Sequence, residues 1–349
     1  MGLFNFKEYV FGRARKVVME NRDKASIVFP ESSDIRILEA TIELLKEKLA
    51  GLVVLIGSKD EIFKSLKEFV SPRDDILAMV EVIDPNSFSG FNRYLDEYFN
   101  LRRKKGLAFN KAREEILNEI AFSMMMVRLG EVKTCVCGSL TSSAKVLRSA
   151  LTILPKLKDT KLVSSFMLMN TGNDCSLTRA SCFGHGGVLL FSDCAVVVSP
   201  DSLELAEIAI QSANSFKNIF DAEPRVALLS FSTKGSSHSM EVEKVQCALK
   251  IVKSKCKDLL IDGELQLDAA LIKSVAEKKC GDSVVAGDAN VLIFPSLESG
   301  NIGYKLVERL SFTKAYGPFL QGFENPVSDL SRGCSVDDIV LTSALMIGS

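Results

Sequence analysis

The residues best suited to chemistry lie near the C-terminus, where Ser331, Arg332 and Gly333 precede an apolar helix predicted from Val336 onward. A hydroxyl, a guanidinium and backbone N–H groups at the positive end of a helix dipole can bind an anion. Ser335 followed by Asp338 is also a capping box, an ordinary structural explanation for the same residues. We expect residues 325–333 to be turn-rich, and both interpretations stay open.

Two other strand-to-helix junctions have a similar composition. A strand predicted over Val226–Phe231 leads into a polar loop, and another leads from Gly138 into a serine-rich loop before a helix. Hydroxyls, a lysine and glycines at such junctions can hold phosphate, although each loop alone is explained as well by an N-capped turn. The candidate phosphate-binding residues are Ser142, Ser143, Ser232, Thr233, Lys234 and Gly235.

A run of positive charge, Arg102–Lys105, is a natural place for a ligand with several phosphate groups. Arg148 lies on the helix that follows the serine-rich loop. Charge runs are also common on solvated helix ends, which is an ordinary structural explanation for the same feature.

Several other chemistries are disfavoured. The sequence contains no P-loop, zinc-protease helix or GxSxG elbow. The two histidines, His185 and His238, lie in polar loops without an evident nucleophile partner. Cys175, Cys182 and His185 match no common zinc-ligand spacing, so we predict no metal site.

The elements that must position these residues follow an α/β pattern, in which short apolar runs alternate with stretches of helical period. The predicted strands are Ser26–Pro30, Leu52–Gly57, Met79–Asp84, Thr134–Gly138, Leu162–Met169, Val188–Val198, Val226–Phe231, Asp258–Asp262 and Val291–Pro295. The predicted helices include Asp34–Leu49, Asp60–Phe69, Lys111–Leu129, Ser202–Phe220, Met240–Lys255 and Leu267–Lys278. This pattern predicts mainly parallel sheets covered by helices.

Composition limits the class of protein further. With 349 residues, 47% of them hydrophobic and 25% charged, the chain is long enough for two folded domains. The formal net charge of -1 provides no overall basic field for nucleic acid. We expect no membrane span, because the longest apolar stretch is too short. Nine cysteines without a signal segment predict a reduced cytoplasmic protein.

Motifs distributed along the chain resemble those of a known family. They are Pro30–Arg36, Leu147–Arg148, Phe191–Asp193, Leu229–Ser236, Ile261–Ala270, Phe294–Pro295 with Gly300–Asn301, and Asp329–Gly333 with Asp337–Val340. In this order they resemble the phosphate acetyltransferases, also called phosphotransacetylases, over almost the whole chain.

The resemblance implies reversible transfer of an acetyl group between CoA and inorganic phosphate, without a metal or bound cofactor. It implies two three-layer α/β/α domains around a cleft, usually in a homodimer. The first domain would be residues 1–158, completed by 321–349, and the second would be 159–320. The small-molecule partners would be CoA and either phosphate or acetyl phosphate.

The resemblance also implies roles for individual residues. Asp338 would be the base, Ser331 the stabilising hydroxyl and Arg332 the phosphate contact. Arg102 and Arg148 fall where the family binds CoA. Cys175 matches a cysteine that is not required as a nucleophile.

The sequence departs from the family pattern at several positions, and alternatives remain. The departures are Lys133, Thr134, Thr141, Ser149, Ser296, Glu298 and Ser328. A phosphate butyryltransferase shares the implied chemistry, and a non-catalytic acyl-CoA or acetyl-phosphate sensor could share the fold. A decarboxylating dehydrogenase is disfavoured because we find no metal-binding carboxylate trio and no nicotinamide fingerprint.

Overall fold

The computed structural model describes residues 4–70, 75–158, 160–172 and 183–349. Its strands are β1 Ser26–Phe29, β2 Leu52–Ile56, β3 Val80–Ile83, β4 Thr134–Cys137, β5 Ser164–Asn170, β6 Val188–Ser192, β7 Arg225–Leu229, β8 Leu260–Leu265, β9 Val291–Ile293, β10 Lys314–Gln321 and β11 Val327–Asp329. Its helices are α1 Phe6–Glu20, α2 Ile35–Lys46, α3 Lys59–Leu66, α4 Phe91–Arg102, α5 Phe109–Ile116, α6 Glu119–Arg128, α7 Ser143–Ile153, α8 Ser202–Phe220, α9 Met240–Lys255, α10 Leu267–Leu271, α11 Lys273–Lys279, α12 Leu297–Leu310 and α13 Val336–Gly348. The predicted α/β class is confirmed.

The chain divides into two compact units. The first unit contains residues 7–157 and 323–349, and the second contains residues 158–322 with the N-terminal segment up to Phe6. The chain passes from one unit to the other after residues 157 and 322. The domain limits expected from the sequence fall after residues 158 and 320.

The first unit is built on a parallel sheet with the strand order β3-β2-β1-β4-β11. Because all these strands run the same way, the loops that follow β1, β4 and β11 leave from one edge of the sheet. These loops are residues 30–34, 138–142 and 330–335, so the sheet order gathers the serine-rich loop and the Ser331–Arg332 segment at that edge.

The short strand β11 corrects the sequence prediction of a turn-rich segment over residues 325–333. Val327, Ser328 and Asp329 pair with Cys135, Val136 and Cys137 of β4 and are buried. The strand is short and two of its three side chains are polar, so local propensity does not reveal it. Pairing with β4 decides its conformation.

Two predicted helices are each divided in the structure. The helix expected over Lys111–Leu129 is α5 and α6, and α6 begins after Asn118, whose side chain accepts hydrogen bonds from the N–H groups of Ile120 and Ala121. The helix expected over Leu267–Lys278 is α10 and α11, separated at Ile272. Apolar periodicity continues across both breaks, so it does not reveal them.

The central helix of the first unit is α13, in which residues 339–348 are all buried. It packs against α2 and against β1, β4 and β11. Two basic residues hold its C-terminal end. Arg13 donates to the carbonyl oxygen of Gly348 at 3.1 and 3.2 Å, and Lys133 Nζ donates to those of Ile347 and Ser349 at 2.6 and 2.9 Å. Positive charge at this end is favoured by the helix dipole, which gives Lys133, a departure from the family pattern, a structural role.

The second unit has the strand order β10-β5-β6-β9-β7-β8. The β10/β5 and β5/β6 pairs are antiparallel, whereas the remaining pairs are parallel. Helix α8 packs on β6, β7 and β9 and against α9. Among the residues described, none of the helices is long and apolar enough to cross a membrane.

Candidate active site

The predicted capping box at the start of α13 is present. The N–H and hydroxyl of Ser335 donate to Asp338 Oδ2 at 2.9 and 2.8 Å, and the Asp338 N–H donates to Ser335 Oγ at 3.2 Å. Both bonds to the carboxylate use Oδ2, so the cap does not require Oδ1. Asp338 is partly exposed at the helix N-terminus, where its second oxygen can serve as a proton acceptor.

Ser331 and Arg332 lie in the exposed turn between β11 and α13. Ser331 Oγ accepts a hydrogen bond from the Gly333 N–H at 3.3 Å, and the Ser331 carbonyl accepts from Cys334 N–H at 2.9 Å. These local bonds fix the turn while the Arg332 side chain extends into solvent. The structure therefore brings Ser331, Arg332 and Asp338 into one short segment around a helix N-terminus.

Arg36 connects this turn to the other loops at the same sheet edge. Its Nη1 donates to the carbonyl oxygens of Arg332 and Cys334 at 3.0 and 2.7 Å, and its Nη2 donates to that of Ser139 at 3.1 Å. Asp34 orients the guanidinium through bonds of 3.0 Å to Nε and 2.6 Å to Nη2. Burial opposes ionisation of Asp34, but the hydrogen bonds from Arg36 outweigh it and lower the pKa of Asp34.

The serine-rich loop already holds an internal anion. The buried Glu31 carboxylate accepts hydrogen bonds from the backbone N–H groups of residues 138–141 at 2.6 to 3.0 Å. These four donors are therefore not available to a phosphate. Ser142 makes no side-chain capping bond, so its hydroxyl and the N-terminus of α7 remain suited to the predicted phosphate contact. Ser143 is exposed, but its hydroxyl faces the buried Asp329 carboxyl.

Arg102 and Arg148 approach each other through Thr152. Arg102 Nη1 lies 3.4 Å from Thr152 Oγ1, and that hydroxyl donates to the Arg148 carbonyl oxygen at 2.6 Å. Arg102 Nε is buried without a hydrogen-bond partner among the residues described. A buried donor of this kind requires a further partner. The Arg148 side chain is exposed.

The loop of the second unit is occupied by its own side chains. Ser232 Oγ and the Gly235 N–H both donate to Glu264 Oε1, at 2.9 and 2.6 Å. Lys234 pairs with the buried Asp262, and Thr233 Oγ1 donates to Gln266 Oε1 at 3.3 Å. Phosphate binding by Ser232, Thr233, Lys234 and Gly235 stays a prediction, and their contacts favour an internal structural role.

Burial raises the pKa of Cys334 to about 11, so its thiol is protonated at neutral pH. Cys175 and Cys182 lie outside the described residues. Within those residues, no group of three His, Cys, Asp or Glu side chains could hold a metal ion.

Sequence reasoning did not assign a role to Glu31, Asp34 or Arg36, although they belong to the Pro30–Arg36 motif. All three follow the carboxyl end of β1. A polar cluster after a buried parallel strand is a signal for this edge of the sheet, and it could have identified them as residues that position the site.

Comparisons with known proteins find relatives that match nearly the entire chain. The profile of a family described as phosphate acetyl/butaryl transferase matches residues 5–347. A phosphate acetyltransferase from Borreliella burgdorferi is 61% identical over 346 residues, which cover 99% of this chain and 97% of that protein.

Solved structures give the same result. A phosphotransacetylase from Streptococcus pyogenes has a TM-score of 0.83 and 35% identity, covering 96% of this chain and 98% of that one. A branched-chain phosphotransacylase from Enterococcus faecalis has a TM-score of 0.62 at 17% identity, covering 93% of this chain and 98% of that one. At that identity the likeness shows the fold alone.

The contacts of Arg36 predict that Arg36→Lys lowers the free energy of unfolding by about 1.5–3 kcal/mol. Lysine keeps the charge but cannot hold Asp34 and three carbonyl oxygens in one planar fork. Urea denaturation measures the change. The matched control is Arg15→Lys, since Arg15 makes a similar but exposed fork with Glu47, and it should cost less than about 1 kcal/mol.

The loss of stability caused by Arg36→Lys should depend on pH. Because the pKa of Asp34 is lowered from 3.8, its contribution to stability is complete above that value and is lost as pH falls through the folded-state pKa. The difference between wild type and Arg36→Lys should therefore shrink in acid. Equal losses of unfolding free energy for Arg36→Lys and Arg15→Lys at neutral pH would contradict the stabilising role of the Arg36 contacts.

Proposed function

This chain belongs to the phosphate acetyl/butaryl transferase family, and we propose that its Ser331–Asp338 segment catalyses reversible acetyl transfer between CoA and inorganic phosphate. The enzyme is an acyltransferase, and its activity is that of a phosphate acetyltransferase: acetyl-CoA and phosphate are converted to acetyl phosphate and CoA. The observation that carries the proposal is the arrangement of Ser331, Arg332 and Asp338 around the N-terminus of α13.

Direct attack by the CoA thiolate on acetyl phosphate accounts for the role of Asp338. A thiol with an ordinary pKa of about 8.5 must lose its proton before it attacks. Asp338 accepts that proton, the sulfur forms a bond to the acetyl carbon, and the carbon–oxygen bond to phosphate breaks with its electron pair. Inorganic phosphate leaves. Both substrates are bound together, so no covalent enzyme intermediate forms.

Ser331 and Arg332 stabilise the charges that develop during this step. The carbonyl oxygen becomes negative in the tetrahedral transition state, and a hydroxyl donor at that position stabilises it more than the ground state. The planar Arg332 guanidinium holds the phosphate in two-point fashion, which orients the acetyl carbon toward sulfur.

The proposal requires neither a metal nor a resident cofactor, because arginines and helix N–H groups supply the positive charge. We expect full turnover after treatment with a metal chelator once counter-ions of the substrates are controlled. A protonated Cys334 is consistent with direct transfer, because the nucleophile is the thiol of CoA. The free thiols of the described cysteines support a reducing, cytoplasmic location.

A homodimer is supported by α12 of the second unit. Only Gly300 of this helix is buried. Ile302, Leu306 and Leu310 recur every four residues and are 57%, 52% and 80% exposed, and the nearby Phe312 is 88% exposed. An apolar stripe of this kind on a soluble chain marks an interaction surface, and a second copy of the chain is the partner we propose.

The test of the proposed function is formation of acetyl-CoA from acetyl phosphate and CoA by the purified protein. Propionyl and butyryl phosphate are assayed beside it. A higher kcat/KM for acetyl phosphate is expected. Preference for butyryl phosphate would support the butyryltransferase alternative, and binding without turnover would support the sensor.

Asp338→Asn separates the base from the helix cap. The amide oxygen can still accept from Ser335, so the free energy of unfolding should fall by about 1 kcal/mol or less. Turnover should fall by roughly 10²–10⁴-fold because the proton acceptor is lost, while the Michaelis constants change little. Steady-state kinetics and a thermal melt on one preparation measure both.

The matched control for Asp338→Asn is Asp337→Asn, since Asp337 is a neighbouring carboxylate in an exposed pair with Lys7. It should alter neither turnover nor stability appreciably. Near-normal turnover of Asp338→Asn would eliminate Asp338 as the base and leave the cap as its explanation.

Arg102→Ala and Arg148→Ala should each weaken CoA binding by about 1.5–3 kcal/mol, roughly 10- to 150-fold. The cause is loss of a charge-assisted contact with a CoA phosphate. The Michaelis constant for CoA is the measurement. Arg103→Ala is the control, because it removes one charge from the same run at an exposed position. A change confined to acetyl phosphate would reassign these residues.

Leu306→Asp should convert the homodimer to monomers by placing a charge in the apolar stripe of α12. Sedimentation velocity measures the association state. Met19→Asp is the control, because Met19 is 80% exposed on α1 of the other unit. An unchanged dimer in Leu306→Asp would place the interface elsewhere.

A further inference from the structure

Two buried carboxyl groups, Glu31 and Asp329, lie under the serine-rich loop of the first unit. Their residues are 4% and 3% exposed. Glu31 follows β1 and Asp329 ends β11, so the sheet order places one on each side of β4. Neither group belongs to the acid–base chemistry proposed above, and two like charges buried near each other are costly.

Glu31 has every feature of a buried anion. Its Oε2 accepts from the N–H groups of Gly138 and Ser139 and from the Ser139 hydroxyl, and its Oε1 accepts from the N–H groups of Leu140 and Thr141. Consecutive backbone N–H groups that converge in this way form an anion-binding nest. The loop is therefore shaped around the charge of Glu31.

Asp329 has the opposite environment. Its Oδ1 is buried without a hydrogen-bond partner among the described residues. A Cβ atom built on Gly138 would lie 2.2 Å from this oxygen, so the loop passes directly over it. The hydrogen-bonding group that faces the carboxyl is the Ser143 hydroxyl at the start of α7.

The titratable groups that face Asp329 are Glu31 and the thiol of Cys137 on β4. No cation compensates it from the helices packed on β11. On α7, Lys145 and Arg148 are exposed. On α13, Asp337 pairs with Lys7 and Asp338 caps its own helix.

The surroundings of the two carboxyls therefore act in opposite directions. Burial raises the pKa of Asp329 to about 7, Ser143 opposes this rise, and Glu31 adds to it.

We propose that Glu31 and Asp329 are paired positioning residues. Glu31, as the anion, shapes the 138–141 loop. Asp329, as the neutral acid, lets β11, which leads to Ser331 and Arg332, pack against that loop. Ionisation of Asp329 would place a second charge beside Glu31. It would loosen the contact between the loop that leads to α7 and the turn that carries Ser331. The kinetic consequence rests on the proposed function, whereas the stability consequence does not.

The test compares the same chemical change at the two positions. Glu31→Gln leaves one acceptor oxygen and turns an NH₂ group against the backbone donors, so kcat/KM should fall by about 10- to 100-fold. At about pH 6, below the pKa of Asp329, Asp329→Asn replaces a neutral acid with a neutral amide, so its loss of kcat/KM should be at least tenfold smaller. Glu47→Gln, at an exposed carboxylate, is the control for Glu31→Gln. Equal losses in Glu31→Gln and Asp329→Asn would overturn the proposal.

A pH series distinguishes positioning from a general loss of folding. The ratio of kcat for Asp329→Asn to kcat for wild type should rise from about pH 6 to about pH 8.5, because only wild type acquires the second charge. The ratio cancels pH effects that both proteins share, including ionisation of CoA. A ratio that is constant with pH would contradict a neutral Asp329.

Urea denaturation from about pH 4 to about pH 8 supplies a readout that does not depend on activity. Because the folded-state pKa of Asp329 is raised from 3.8 to about 7, its favourable contribution is complete below 3.8 and is lost as pH rises through 7. Asp329→Asn should therefore gain stability relative to wild type as pH rises. If the wild type fails to transfer acetyl groups yet this gain is present, the proposed function fails and the carboxyl pair stands. If Asp329→Asn gains no stability relative to wild type as pH rises, the proposed pairing of Glu31 and Asp329 is overturned.

Discussion

The candidate site depends on one interaction, in which the Glu31 carboxylate accepts hydrogen bonds from four backbone N–H groups. A tight turn after β4 points the N–H groups of residues 138–141 inward, and unpaired buried donors are costly. A carboxylate from the neighbouring strand end satisfies all four. With the turn fixed, the next residues form the N-terminus of α7, which carries Ser142, Ser143 and Arg148.

The second requirement is that the Ser331–Arg332 turn keeps a constant place relative to that loop. Arg36 provides the link, because its guanidinium reaches the carbonyl oxygens of Ser139, Arg332 and Cys334 while Asp34 holds its orientation. Helix α13 is fixed independently at both ends, by the Ser335–Asp338 box and by Arg13 and Lys133. The catalytic residues proposed here are therefore exposed groups on a rigid support.

The second unit uses the same solution at two further loops. Asp193 accepts from the N–H groups of residues 195–197 at 2.9 to 3.2 Å, and Glu264 accepts from Gly235. Loops rich in glycine and hydroxyl residues at strand ends satisfy a carboxylate of the protein as well as they satisfy a phosphate. This explains why such loops look like phosphate sites in the sequence even where the anion is internal.

The sequence by itself determined what depends on near neighbours. The α/β class follows from alternating periodicities, the limits of α8 and α9 agree with the predicted Ser202–Phe220 and Met240–Lys255, and the two partners of the Ser335–Asp338 cap are only three positions apart. Only the tertiary structure decided that Val327–Asp329 is a strand, that Glu31 fills the loop at Gly138, and that Arg36 reaches Arg332, 296 positions away. The physical reason is that a backbone N–H group donates to whichever anion the sheet order places beside it, and sheet order is set by pairing between segments that are distant in the chain.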